Sequence, residues 1–359
     1  MVKRALVLGG GAPNFTLMAG ALSVCEELGF RFDVVSGAGA GGLTALVYLA
    51  PKGMTREEGL WNSVNLGISD PIWKLIPINY RVFTKGSGIA ALFRQMLTHL
   101  PSYDRIMNQA GMTKRQKLIS DLIQAFWSII TPTTVGLHSA GMCGDSPALM
   151  DMLDLEKLHD PKEVPEQVFL NAFCIEDHKM AIFPKEQITP KHVVASHAYP
   201  LIAAPTEIDG KHYIEGAIFD GFNFGGLLDA VGDIDEIYVF DIFGDSRFID
   251  YPPNMWQAYG QQIVAPLISL TRKDLALFHF YLDAWNLKHK KSVKAIVIDF
   301  EVPEEWVATS LDWSMSNLKR CFKYGRKVMR EYFEKNPPSV TAPTAPPPKK
   351  KTVGKGDAE

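Results

Sequence analysis

The sequence predicts an α/β fold of three layers, in which helices cover both faces of a central, mostly parallel sheet. Short apolar runs that end at glycine have no polar face, as is typical of strands whose two faces are both buried. Segments with apolar residues at three- and four-residue steps follow these runs, as amphipathic helices do. Strand and helix alternate with short connections, which favours a parallel sheet covered on both sides.

The alternation is clearest near the N-terminus. Residues 3–9 form an apolar run stopped by glycine and are predicted to be a buried strand. Helical spacing of apolar residues predicts a helix over 15–28, which Gly29 would end. A second strand is predicted at 33–36 and a second helix at 43–49.

The same pattern returns after residue 160 and extends to residue 335. It predicts strands at 167–175 and 180–183, a short helix at 191–197, a hairpin at 207–214, strands at 236–241 and 294–299, and an amphipathic helix at 312–335. We therefore expect residues 1–335 to form one α/β domain.

Residues 70–160 interrupt the alternation and are predicted to be a helical insertion over one end of the sheet. The segment is rich in large apolar side chains, among them Leu75, Leu92 and Phe126, and it contains five prolines. Two interpretations stay open. The segment adds to the core, or it forms a cap that lines an apolar pocket or meets a lipid surface.

The composition changes at residue 336. Residues 336–359 combine proline, alanine and lysine and lack the apolar residues needed for packing. We expect a disordered tail, partly in the polyproline II conformation, that acts as a spacer or a solubilising segment. The alternative is a basic tip that contacts an anionic surface.

Composition also bears on the class of protein and its location. With 37 Lys and Arg against 40 Asp and Glu, the formal charge of the 359 residues is −3, which argues against a nucleic-acid binder. The four cysteines stand far apart, which disfavours a zinc site or redox motif and suggests a reducing compartment. No stretch approaches the ~20 apolar residues of a membrane span. We expect a cytoplasmic protein, with association at a lipid surface left open.

A glycine-rich turn joins the first predicted strand to the first predicted helix. It reads Gly-Gly-Gly-Ala-Pro-Asn over residues 9–14. Such a turn presents backbone N–H groups at a helix N-terminus, where an anionic oxygen is stabilised. A dinucleotide-binding fold is a competitor. Asp33 would supply its acidic residue, but its GxGxxG pattern needs glycine where Asn14 stands.

A second glycine-rich segment, residues 35–43, lies at the end of a strand and opens a helix. This is the position of a nucleophile elbow, GxSxG. Small residues at Gly37 and Gly41 permit the sharp turn and the close approach of helix to strand. The position that carries the hydroxyl in that motif is occupied by Gly39.

The third segment reads Tyr-Ile-Glu-Gly-Ala over residues 213–217 and follows the predicted hairpin. Together the three segments resemble the patatin-like phospholipases, a family of lipid acyl hydrolases with a three-layer α/β/α fold. That family has an oxyanion loop of the type GGGxRG, then a GxSxG elbow, then a DGG or DGA motif with the aspartate of a Ser–Asp dyad. Order, spacing and flanking patterns match from Leu6 to about Asp241.

The resemblance implies a role for each matching position. It places Gly39 at the nucleophile and Glu215 at the dyad acid. It places the oxyanion loop and the residues flanking the nucleophile at Gly9, Gly10, Gly11, Ala12, Gly37, Ala38, Ala40 and Gly41.

Three parts of the family's mechanism are altered. Pro13 replaces the arginine of the oxyanion loop and has no N–H to donate, and Asn14 replaces the last glycine. Glu215 is one methylene longer than aspartate. In the family the aspartate activates the serine directly, so with Gly39 there is no hydroxyl to activate. Loss of a nucleophile removes a factor of about 10⁶ in rate, judging by serine hydrolases.

Four other side chains are candidates for a displaced site. Ser36 lies at the strand end, and we expect it to be a buried serine bonded to the backbone. Ser139 lacks the elbow's preceding glycine and helix start. His197 precedes the hairpin and is expected to be a hydrogen-bonded packing residue. Thr44 is expected to bond back to a helix carbonyl.

Two function classes follow. In the first, favoured here, the protein retains the fold, has lost the chemistry, and binds a lipid, a fatty acyl group or a partner protein. In the second, it is an active lipid acyl hydrolase that uses a displaced nucleophile or a water activated by Glu215. Neither class needs a cofactor or a metal, and the aspartates at 241, 245 and 250 are too loosely spaced for a calcium loop.

Overall fold

The computed structural model describes residues 2–11, 15–86, 88–109, 111–133, 138–228, 230, 232, 234–243, 251–252, 255–302 and 312–337. Ala12, Pro13 and Asn14 of the glycine-rich turn lie outside the described residues, as does the predicted tail from residue 338 onward. Among the described residues, no helix combines the length and apolar character needed to cross a membrane.

Ten strands are described. They are β1 (Arg4–Leu8), β2 (Val34–Gly37), β3 (Gly141–Cys143), β4 (Gln167–Cys174), β5 (Lys179–Pro184), β6 (Leu201–Ala203), β7 (Thr206–Ile208), β8 (Lys211–Glu215), β9 (Glu236–Asp241) and β10 (Lys294–Asp299).

Thirteen α-helices are described. They are α1 (Phe15–Glu27), α2 (Ala40–Leu49), α3 (Arg56–Asn62), α4 (Asp70–Leu75), α5 (Gly88–Thr98), α6 (Tyr103–Met107), α7 (Lys114–Ile130), α8 (Pro147–Met150), α9 (Leu155–His159), α10 (Pro190–Ser196), α11 (Phe224–Leu228), α12 (Met255–His289) and α13 (Met315–Lys335). Every strand and helix predicted outside the insertion is therefore confirmed, with ends that shift by a few residues.

The central sheet has eight strands and is mostly parallel. Its order is β10-β9-β1-β2-β4-β8-β7, and β5 pairs separately with β4. The pairs among β10, β9, β1, β2 and β4 are parallel, whereas the pairs of β4 with β8, β7 with β8, and β4 with β5 are antiparallel. The second sheet contains only β3 and β6 in the described part of the chain.

The two faces of β1 show why the fold has three layers. Leu6 and Leu8 belong to one apolar cluster, which also contains buried residues of α1, α2 and α13. Ala5 and Val7 point the opposite way, into a cluster that contains Phe278 of α12. Successive side chains of a strand point to opposite faces, so helices must cover both sides of β1. The predicted three-layer α/β/α fold is confirmed.

Residues 70–160 form helices α4 to α9 and strand β3, as the predicted helical insertion requires. Ile72 and Tyr80 are buried, which agrees with additional core. Leu75, Leu92 and Phe126 are more than half exposed, so the core interpretation fails for them. Much of the apolar surface of this insertion faces outward in the isolated chain.

Candidate active site

The turn between β2 and α2 has the geometry of a nucleophile elbow. β2 ends at Gly37, α2 begins at Ala40, and Gly39 caps the helix with φ +52° and ψ −124°. A positive φ is strained for residues with a Cβ, whereas glycine adopts it readily. The chain therefore makes the sharp strand-to-helix turn that places position 39 at its apex.

Backbone contacts around the elbow explain the other small residues. A Cβ on Gly41 would overlap the Leu8 carbonyl oxygen of β1, and one on Gly37 would lie 2.6 Å from Gly42 Cα. Ala38 is fully buried, and its N–H donates to the Leu8 oxygen over 3.1 Å. α2 therefore begins in backbone contact with β1, which only small side chains permit.

Glu215 reaches the elbow from the last position of β8. The strand is fixed by pairing with Ala172 of β4, and the Glu215 N–H donates to the Ala198 oxygen over 3.0 Å. A Cβ on Gly39 would overlap Glu215 Oε1 and would lie 3.1 Å from its Cδ. The carboxyl oxygen thus occupies volume that a serine side chain at position 39 would need.

Glu215 is largely sequestered from solvent, and this changes its protonation. Burial raises its pKa from 4.5 to about 8. Removing water disfavours the charged form of an acid, so the carboxyl group is mainly neutral at neutral pH. In that state it carries a hydrogen-bond donor as well as an acceptor.

The described part of the glycine-rich turn packs closely on the segment after β8. A Cβ on Gly9 would lie 2.9 Å from the Phe222 ring, and one on Gly10 would lie 2.8 Å from Ala217 Cβ. The Gly10 N–H donates to the Gly221 oxygen over 3.0 Å. This donor is therefore engaged inside the protein in this conformation. The oxyanion role of residues 9–12 stays a prediction.

The alternative nucleophiles have structural positions. Ser36 is buried and donates its hydroxyl to the Asn223 oxygen over 2.7 Å, as expected. Thr44 donates to the Ala40 oxygen over 2.9 Å, also as expected. Ser139 lies in an exposed turn before β3.

His197 differs in part from its expected role as a hydrogen-bonded packing residue. It caps the C-terminus of α10, and the neighbouring Ala198 contacts the Glu215 backbone. Its Nδ1 atom is buried without a hydrogen-bond partner. Burial lowers the pKa of His197 to about 4, so the ring is neutral at neutral pH. A neutral ring can keep an unpartnered nitrogen at lower cost than a charged one.

Sequence reasoning missed the polar residues that brace the elbow. Asn223 donates through Nδ2 to the Phe169 oxygen over 3.2 Å and to the Gly37 oxygen over 3.4 Å. Gly221 donates its N–H to Asp274 of α12 over 3.0 Å. The signal that could have identified Asn223 in the sequence is its position between two phenylalanines, Phe222 and Phe224. Asp274 gave no signal, because α12 itself was not predicted.

Two cavities among the described residues lie away from Gly39. One of about 440 Å³ is lined by Asn65, Arg81 and Met107, and one of about 850 Å³ by Lys3 and Arg56, among others. Neither lining includes Gly39 or Glu215. The described residues contain no group of three or more His, Cys, Asp and Glu side chains that could hold a metal ion.

Comparison with known proteins assigns a family. A model described as patatin-like phospholipase matches residues 6–228. VipD from Legionella pneumophila is a similar solved structure. The similarity covers 93% of this chain and 67% of VipD, with 13% identity and a TM-score of 0.39. No curated protein sequence is significantly similar to the chain.

ExoU is a second similar structure. Full-length ExoU in complex with SpcU, from the type III secretion system of Pseudomonas aeruginosa, has 12% identity and a TM-score of 0.30. This similarity covers 92% of the present chain and 53% of ExoU. The chain thus spans about half the length of ExoU.

Proposed function

The chain belongs to the patatin-like phospholipase family, and we propose that it binds a lipid or fatty acyl ligand without the family's serine-based hydrolysis. In this proposal Gly39 holds the nucleophile position and Glu215 the position of the dyad acid. The protein contacts a lipid surface peripherally to reach its ligand.

One observation supports this proposal above the others. The Glu215 carboxyl group fills the space in which a serine side chain at position 39 would stand. In this conformation the site therefore lacks both the hydroxyl and the volume for it. The two hydroxyls nearest in sequence, those of Ser36 and Thr44, are donated to backbone oxygens.

Glu215 has the chemistry of a ligand-binding group. With its pKa raised to about 8 by burial, it is mainly protonated at neutral pH. A protonated carboxyl group donates a hydrogen bond to a fatty acid carboxylate or an ester carbonyl. An ionised Glu215 would instead repel a carboxylate. Binding of a fatty acid should therefore weaken as pH rises through about 8.

The position of Glu215 Oε1 also favours one alternative, an active hydrolase in which Glu215 is the displaced nucleophile. The carboxylate would attack the ester carbonyl, form a mixed anhydride on its own oxygen and expel the alcohol as an alkoxide, which takes a proton from water. Water would then hydrolyse the anhydride to free fatty acid and regenerate the carboxylate. This chemistry needs the ionised form, so its rate would rise with pH through about 8.

The test compares the parent with three variants: Glu215→Gln, Gly39→Ser and the double variant Gly39→Ser/Glu215→Asp. Oleate binding is measured by calorimetry on either side of pH 8. Hydrolysis is measured on p-nitrophenyl esters and phospholipid vesicles, and active serine is titrated with a fluorophosphonate probe. We expect the parent to bind oleate in the micromolar range, to release no product and to resist the probe.

The variants separate the two functions. In Gly39→Ser the new side chain meets Glu215, whereas the double variant shortens the acid and frees that space. We expect the probe to label the double variant more than Gly39→Ser alone. Failure of the parent to bind any acyl chain would contradict the binding proposal. Ester turnover by the parent that Glu215→Gln abolishes would establish the hydrolase instead.

A further inference from the structure

Helix α7 is amphipathic in the opposite sense to a normal surface helix. Four polar residues are on its buried side: Lys117, Ser120, Asp121 and Gln124. Its exposed side carries an apolar stripe at steps of three and four residues: Ile119, Leu122, Phe126 and Ile129. Each of these four side chains is half exposed or more. Soluble proteins normally place these two faces the other way round.

Specific polar contacts fix this orientation. Asp121 pairs with Arg81, and its carboxylate also accepts from the Ser69 N–H at 2.9 Å and from Gln109 Nε2 at 2.8 Å. Gln124 donates to the Ile106 oxygen over 2.7 Å. Rotating the helix to bury its apolar stripe would leave a buried arginine and several polar groups unpaired. These polar contacts therefore keep the apolar side of α7 facing solvent.

A second apolar stripe lies on α5. Ile89, Leu92 and Met96 are at steps of three and four residues, and each is more than half exposed. Both helices line one small cavity, α5 through Leu97 and α7 through Trp127. The Lys85 ammonium just before α5 donates to the Ile129 oxygen over 3.1 Å. The two stripes thus belong to neighbouring helices of one insertion.

The part of the insertion that carries α5 and α7 is also basic, whereas its remainder, residues 134–160, contains five Asp and Glu and one Lys. Residues 70–133 contain eight Lys and Arg but three Asp, a surplus of five positive charges in a chain of net charge −3. Burial lowers the pKa of Lys117 to about 6, so this residue adds little to the surplus at neutral pH. Arg105, Lys114 and Arg115 are exposed, and the last two begin α7.

We propose that the exposed apolar faces of α5 and α7, with the basic residues beside them, are the docking surface for an anionic lipid bilayer. The inference rests on the proposed lipid ligand and names the surface through which the protein reaches it. Apolar side chains would enter the headgroup region while lysine and arginine contact lipid phosphates, as in interfacial helices. A second copy of the chain is disfavoured, because two equally basic surfaces repel.

The experiment is sedimentation of the full chain with phosphatidylcholine vesicles, with and without phosphatidylserine. Two double variants change the surface: Leu122→Glu/Phe126→Glu and Lys114→Glu/Arg115→Glu. Leu287→Glu is the matched control, because Leu287 is an exposed leucine on α12. Circular dichroism and thermal unfolding confirm that each variant folds.

We expect the parent to bind phosphatidylserine vesicles and to dissociate at high salt. Each double variant should weaken binding about tenfold or more, whereas Leu287→Glu should not. Equal binding by parent and variants, or no preference for phosphatidylserine, would overturn the proposal. The proposal would also be overturned if the parent protein did not bind vesicles and instead self-associated, or if it bound only an acidic protein. Oleate binding is also measured for the Leu122→Glu/Phe126→Glu variant, so that failure of the docking surface can be told from failure of the proposed ligand site.

Discussion

Positions 39 and 215 depend on each other, because one carboxyl oxygen occupies the space of a side chain at the other position. Glutamate is one methylene longer than aspartate, and glycine has no Cβ. The longer acid can occupy this space because position 39 is glycine, and a side chain there would force the end of the Glu215 side chain to move. Restoring a side chain at position 39 alone recreates the collision, whereas shortening residue 215 alone does not, so the tolerance for a side chain at position 39 depends on the residue at 215.

A double-mutant cycle measures this dependence. Gly39→Ala should destabilise the protein by about 1–3 kcal/mol from the positive φ, with a further cost from the collision with Glu215. In a Glu215→Ala background the collision disappears and the strain remains. The control is Gly53→Ala, because Gly53 has φ +66° and open space around its Cβ position. Urea unfolding that gives Gly39→Ala the same cost in both backgrounds would contradict this dependence.

The raised pKa of Glu215 makes a second prediction at the residue scale. The folded state keeps a proton up to about pH 8, whereas the unfolded chain loses it near the usual value of 4.5. The free energy of unfolding should therefore fall as pH rises through this window, by up to about 1.4 kcal/mol per pH unit. Glu215→Gln should remove this contribution. Unfolding curves whose difference between variant and parent does not grow with pH would contradict the shift.

At the element scale, helix α7 shows how a polar network sets an orientation that apolar spacing alone cannot predict. Its apolar residues recur at helical steps, which in most soluble proteins marks the core-facing side. Here the buried Arg81–Asp121 pair and its hydrogen bonds lie on the inner side instead. The composition of residues 70–160 predicted a helical insertion and gave no information about which side of α7 would be buried.

Breaking the Arg81–Asp121 pair tests this account. Asp121→Ala leaves the Arg81 guanidinium buried without its carboxylate and should cost about 3–5 kcal/mol of unfolding free energy. The control is Glu331→Ala, which removes an exposed pair with Lys327 and should cost about 0.5 kcal/mol or less. Similar costs for the two variants in urea unfolding would mean that the buried pair does not fix the insertion.

Helix α12 shows a different limit of prediction from sequence. It runs for 35 residues but has Pro266 inside, and several of its large apolar side chains, including Phe280 and Leu287, are exposed. An internal proline normally marks a helix end. Apolar residues on the exposed side also make the apolar periodicity of a helix harder to recognise in the sequence. The strands, in contrast, were predictable because their apolar pattern is uninterrupted. Burial on both faces leaves short, continuous apolar runs such as residues 3–9.

At the scale of the whole molecule, the central sheet extends beyond the part of the chain that matches the family. The match ends at residue 228, yet β9 and β10 complete the parallel side of the sheet next to β1. The sequence predicted these strands and the order of the three site segments along the chain. It could not predict that the Gly10 N–H would bond to Gly221, because that contact depends on packing between segments about two hundred residues apart.

The two ends of the described fold are joined by close contact between α1 and α13. A Cβ on Gly20 of α1 would overlap the Phe322 oxygen, and one on Gly325 of α13 would overlap the Leu17 oxygen. The backbones therefore touch at two points. Arg326 adds a hydrogen bond to Ser23 over 2.6 Å. A helix outside the family match thus holds the first helix of the family domain against the sheet.

Gly325→Ala is the last prediction, and it concerns this long-range contact. The new methyl group cannot avoid the Leu17 backbone, so the helices must separate and lose packing along the α1–α13 interface. We expect a loss of about 1–3 kcal/mol in unfolding free energy, although alanine favours helices over glycine by about 1 kcal/mol. The control is Gly88→Ala, because Gly88 begins α5 with open space around its Cβ position. A Gly325→Ala variant as stable as the parent, or more stable, would show that α13 does not pack through its backbone.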